Sequence, residues 1–161
     1  MGSILMSHLV SNQNLQYSPV INCPKQELPY RIEIVQHLAK FEMTQEWLND
    51  NVLFQEDIFK PEALNDIESV SMVDFNELNP PLSKLLGNKV HHIIDHHVDN
   101  GLYSETLKSK EIDLIGSAAT LVVNKLKNKI TFDYDLAMFA SAPILLDSYN
   151  FNEQLFGSKW T

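Results

Sequence analysis

The chain holds a single cysteine, Cys23, in 161 residues. One thiol cannot close an internal disulfide or furnish a cysteine-rich zinc site. It holds a single arginine, Arg31, and its 12 basic residues face 21 acidic ones, for a net charge of −9. A sequence-independent grip on nucleic acid needs a basic stripe, and none is visible, so nucleic acid is not an expected partner. No run of about 18 apolar residues exists, which excludes a transmembrane helix. The apolar start, Met1–Val10, lacks a basic n-region and a small-residue cleavage site, so it does not read as a signal peptide. A reducing, cytoplasmic compartment is therefore expected. A polyanionic substrate would need metal ions to offset the carboxylates.

Hydrophobic residues make up 44% of the chain and charged residues 20%. That suits one domain with its own core and not a disordered tail. Met1–Val10 reads as part of a helix and Ser11–Ser18 as a loop. Pro19–Asn22 reads as a short strand ended by Pro24. The apolar spacing from Pro29 to Phe41 is close to helical. Thr44 is placed to cap a turn through Trp47 and Leu48. Asn51–Phe54 reads as a strand and Pro61–Asp66 as a short helix. Glu68–Phe75 and Lys89–His97 read as buried parallel strands, joined by a turn at Asn79–Pro81 and a short helix at Leu82–Leu86. Gly116-Ser117 opens a helix over Ala118–Lys127, and Asp135–Pro143 reads as a second helix. The apolar run Ile144–Leu146 then leads to Asp147. The expected fold class is α/β, a parallel sheet flanked by helices.

Three short apolar segments each end in a carboxylate: Asp74, Asp95 and Asp147. Ligands of open α/β sheets bind beyond the carboxyl ends of the strands. Acids gathered there repel one another unless a cation neutralises them. Asp95 is followed at once by His96 and His97, and mixed imidazole and carboxylate donors favour a divalent transition ion. Taken singly, Asp74 also reads as a turn residue. His91 and His92 read as solvent-facing or packing residues, and His8 and His37 as structural residues on helices. Cys23, Met138 and Phe139 read as core. Gly116–Thr120 can present free N–H groups to an anion or act as a plain helix start.

At Ile94-Asp95-His96-His97 the chain resembles the DHH phosphoesterase superfamily. Val73–Asn76 is similar to that family's second motif, Gly116–Thr120 to its glycine-serine helix start, and Pro143–Phe151 to its fourth motif. Pro19–Asn22 with Glu27–Arg31 resembles the exopolyphosphatase and prune branch. The resemblance implies a metal-dependent phosphohydrolase that cleaves terminal phosphoanhydride bonds of polyphosphate with a two-metal-activated water. It implies Asp74, His96 and Asp147 as metal ligands, Asp74 bridging two ions. It implies Asp95 as support for the histidine pair and His97 as the histidine facing the substrate phosphate, with Asp95 and His97 forming the catalytic pair. Gly116 and Ser117 are the further substrate-binding candidates. The ion expected is Mn²⁺, with Co²⁺ or Mg²⁺ as alternatives, and the partner is polyphosphate or another small phosphorylated substrate.

The family's first motif, a strand leading to Asp-x-Asp-Ser, has no match, because Met1–Ser7 reads as the helix that would follow it. Gly157–Thr161 resembles the stretch after the fourth motif, and the family's C-terminal domain lies beyond it. The expectation is a single partial DHH domain over residues 1–161, with weak metal binding and little turnover of its own. The alternative readings are a non-catalytic binding or regulatory module, a pyrophosphatase, and a cyclic-nucleotide phosphodiesterase.

Overall fold

The computed structural model describes residues 3, 4 and 17–156. The expected helix at Met1–Val10, apart from helical Ser3 and Ile4, lies outside them, as do His8, most of Ser11–Ser18, and Gly157–Thr161.

The architecture is α/β, with parallel sheets flanked by helices. β1 (Val20–Ile21) pairs in parallel with β2 (Leu53–Phe54). β3 (Val70–Val73), β4 (Val90–Asp95) and β5 (Ser109–Ile112) form a second parallel sheet with β4 at its centre. Around them run α1 (Ile32–Ala39), α2 (Gln45–Asn51), α3 (Gln55–Ile58), α4 (Pro61–Asp66), α5 (Pro80–Leu86), α6 (Ala118–Leu126), α7 (Tyr134–Asp147) and α8 (Glu153–Phe156). Helix starts follow side-chain chemistry: Thr44 accepts the Trp47 N–H, Asn79 that of Leu82, and Asp133 that of Leu136.

Successive strand residues point to opposite faces, and β4 uses this to join two cores. Ile94 packs with Leu38, Phe54, Val122 and Phe139 on one side. Ile93 packs with Ile58, Met72, Leu82 and Leu86 on the other. With Ile93 in one core and Ile94 in the other, β4 is a strand covered on both faces.

Four expectations are corrected and one strand is added. The turn expected at Asn79–Pro81 is already helical from Pro80, where α5 begins. The segment Ser109–Ile112 is a strand although its composition, Ser-Lys-Glu-Ile, carries no strand signal. Its place comes from pairing with β4, His92 against Ser109 through Asp95 against Ile112. The helix read as ending at Pro143 runs on to Asp147, so Ile144–Asp147 is helical and Asp147 ends a helix, not a strand. Proline has no N–H for the Phe139 oxygen one turn back. The helix tolerates this because His37 Nε2, 3.1 Å away, supplies the missing donor. The helical spacing from Pro29 to Phe41 splits into a 3₁₀ segment, Lys25–Tyr30, and α1, separated by non-helical Arg31. Finally, Phe139 is core, but Met138 is 46% exposed and Cys23 only half-buried.

Candidate metal centre

The parallel order of β3 and β4 brings Asp74 and Asp95 together along the carboxyl-end edge of the sheet, where the strands finish. Asp74 follows β3 directly, and its N–H continues the ladder by donating to Ile94 O at 2.9 Å. Its φ is +75°, a left-handed conformation that short polar residues accept better than most. The kink turns the carboxylate off the strand toward His96, and the side chain is 60% exposed.

Asp95 ends β4 and is fully buried. Its Oδ1 accepts the His96 N–H and His97 Nδ1–H, both at 2.8 Å, and its Oδ2 accepts Asn76 Nδ2 at 2.6 Å. Burial alone would raise its pKa. The hydrogen bonds from His97, Asn76 and His96 outweigh that and hold the carboxyl below its usual range. Asn76 also donates to Val98 O and accepts the Asn100 N–H, so it ties the loop after the histidines to the end of β3.

The two imidazoles are oriented from behind. His96 Nδ1 lies 3.0 Å from the Ile115 carbonyl, which can only accept, so Nδ1 carries the proton. Its Nε2 lone pair then faces Asp74 Oδ1 at 3.1 Å. His97 donates from Nδ1 to Asp95, which likewise leaves Nε2 as the free lone pair. An imidazole lone pair against a carboxylate is repulsive unless a proton or a cation lies between them. Among the described residues, Asp74, His96 and His97 form a group whose ligand atoms lie within 4.8 Å of one another, a donor set that fits one divalent cation. Desolvation first, then the charges of Asp147 and Asp95, push the Asp74 carboxyl above its usual range against the pull of His96 and His97. A bound cation would offset both the desolvation and the neighbouring acid charges.

Asp147 comes to this edge from the C-terminal end of α7. Its Oδ2 accepts the Ser117 hydroxyl at 2.5 Å. Ser117 is 1% exposed and its Oγ also accepts the Ala119 N–H as the cap of α6. Gly116, beside it, is half-buried. The group capable of holding an ion thus contains Asp74 and His96, two of the three expected ligands. It adds His97, expected to face substrate, and does not include Asp147. Sequence reasoning gave Asn76 no role and overlooked the Ile115 carbonyl. An asparagine three residues past a strand and a main-chain oxygen carry no sequence signal of what they will touch.

The chain is similar to a Schizosaccharomyces pombe protein named "Putative exopolyphosphatase", 28% identical over 150 residues, which is 84% of this chain and 37% of that protein. It therefore spans little more than a third of the length of this curated relative. No protein-family model matches the chain. Among the described residues, no helix is long and apolar enough to cross a membrane.

Proposed function

We propose that the chain is the metal-holding domain of a phosphohydrolase of the DHH phosphoesterase type, with exopolyphosphatase-like action on terminal phosphoanhydride bonds. The observation that carries this reading is the convergence of Asp74, His96 and His97 at one sheet edge, with both imidazoles presenting Nε2. The similarity to a protein bearing an exopolyphosphatase name supports the same class.

In this reading His96 and Asp74 hold a divalent cation, with Asp147 joining them. Manganese is the proposed ion, and cobalt or magnesium the alternatives. When bound, such an ion supplies Lewis acidity toward phosphoryl oxygens and lowers the pKa of water. His96 is the inner imidazole, 14% exposed, and His97 the outer one, 58% exposed. The outer position suits His97 to a phosphoryl oxygen or to carrying a proton at Nε2. Asp95, ionised and buried, fixes the tautomer that leaves Nε2 free. Gly116 and the start of α6 lie beside the site as the proposed contact for a phosphate.

The test is a titration of the chain with Mn²⁺, followed by measurement of phosphate release from polyphosphate. Release that depends on Mn²⁺ and is lost in Asp74→Asn supports the reading. Absence of any Mn²⁺ binding refutes it. Pyrophosphate and a cyclic nucleotide in the same assay decide the substrate class. A second reading, a non-catalytic binding module, is favoured by one observation: the described residues gather three ligands, enough for one ion and not a two-ion clamp. Binding of Mn²⁺ without phosphate release would select it.

A further inference from the structure

Ser117 and Asp147 are 30 residues apart and are joined by a 2.5 Å hydrogen bond. Ser117 is buried at the start of α6, with extended backbone (φ −152°, ψ 139°). A serine hydroxyl has two lone pairs and one proton. Here a lone pair takes the Ala119 N–H at 3.2 Å, so the proton is the part that remains for Asp147 Oδ2. The cap thus fixes the hydroxyl, and the hydroxyl fixes the carboxylate. The restraint has something to act on, because Asp147 is the last residue of α7 and a turn of three left-handed residues, Tyr149, Asn150 and Phe151, follows it after Ser148. Among the described residues, Asp147 Oδ1 accepts no hydrogen bond. Ser117 follows two residues after Ile115, whose carbonyl accepts the His96 Nδ1–H at 3.0 Å, so the carboxylate that Ser117 holds lies at the same end of the sheet as the three-residue group.

We propose that Ser117 is a positioning residue: its buried hydroxyl holds Asp147 Oδ2 so that the other oxygen is added to the Asp74–His96–His97 group as a ligand for a divalent cation. This rests on the reading of that group as a cation site. It differs from a plain capping role, because capping needs only the lone pair. Residues that cap but cannot donate separate the two. Glycine caps nearly as well as serine and has no hydroxyl, aspartate caps and cannot donate, and threonine does both.

The experiment measures Mn²⁺ affinity from paramagnetic broadening of the histidine ring protons, alongside thermal unfolding, in the full chain. Ser117→Gly is expected to weaken Mn²⁺ binding about tenfold or more, as loss of a group that orients a ligand does. Its melting temperature should change little, and Ser117→Thr should restore the affinity. In an Asp147→Asn background, Ser117→Gly should cost nothing further. Should the glycine variant fail to fold, Ser117→Asp makes the same separation. Unchanged affinity in Ser117→Gly, or equal losses in the glycine and threonine variants, overturns the inference. Asp74→Asn serves as the control for the site itself. If it binds Mn²⁺ as the parent chain does, the cation site is elsewhere and the role of Ser117 falls with it. If Asp74→Asn loses binding and Ser117→Gly does not, only the role of Ser117 falls.

Discussion

His37 Nε2 donates to the main-chain oxygen of Phe139 at 3.1 Å, the carbonyl that Pro143 leaves without a helical partner. The same ring stacks on Phe139, with centroids 5.4 Å apart, and meets Phe41 edge-on at 5.1 Å. A histidine of α1 thus repairs a defect in α7, the helix that delivers Asp147.

Replacing His37 with phenylalanine keeps the ring packing and removes the donor. An unpaired buried carbonyl costs about 1–3 kcal/mol. His37→Phe is therefore expected to lower stability by that order in urea unfolding. A double variant that also carries Pro143→Ala should recover most of it, since alanine restores a backbone N–H within reach of Phe139 O. If the double variant recovers nothing, His37 does not have this role.

Asp74→Asn should abolish Mn²⁺ binding without harming the fold. The side chain is exposed, and asparagine accepts the left-handed φ of +75° as readily as aspartate. The melting temperature should stay level or rise, because one of several crowded acids is gone. Mn²⁺ titration and a thermal melt check both halves.

Asp95→Asn is expected to behave in the opposite way. Both carboxylate oxygens accept from N–H donors, and an amide must turn its own NH₂ against one set. A loss of about 1–3 kcal/mol follows from the broken buried hydrogen bonds, measured by denaturant unfolding. An unchanged midpoint would mean that the network does not hold the histidines.

His92 titrates against folding. Burial first, then the charges of His91, Lys108 and Lys125, lower its pKa, while its Nδ1 pairs with Ser109 Oγ at 2.8 Å. A base with a lowered folded pKa is favoured neutral, so the unfolded chain takes up its proton first as pH falls. Its contribution is fully present above the unfolded value, about 6.5, and is lost as pH drops from there toward the lowered folded value. Stability should therefore fall on acidification below about 6.5. His92→Gln should flatten that slope in denaturation series taken across the range. An identical slope in the variant would exclude His92 as its source.

Much of the site could be read from the chain alone. Val70–Val73 and Val90–Asp95 are segments of strand length with apolar cores, each followed or ended by an acid. Parallel order then obliges those acids to share an edge. Thr44 and Ser117 announced helix starts because capping is a local reaction between a side chain and the next turn. Ser109–Ile112 was silent because an edge strand with one apolar residue owes its form to its neighbour.

What the sequence determined by itself was therefore whatever depends on neighbours within a few residues: the strand cores, the helix starts, and the Asp95-His96-His97 run. Only the tertiary structure decided which side chain completes the Phe139–Pro143 gap, which asparagine seats Asp95, and that Asp147 arrives on a helix held by Ser117. Each of these is a hydrogen bond between residues 19 to 102 positions apart. Such a bond leaves no local pattern of apolar spacing or turn chemistry. Its partners are chosen by how the helices pack on the sheet.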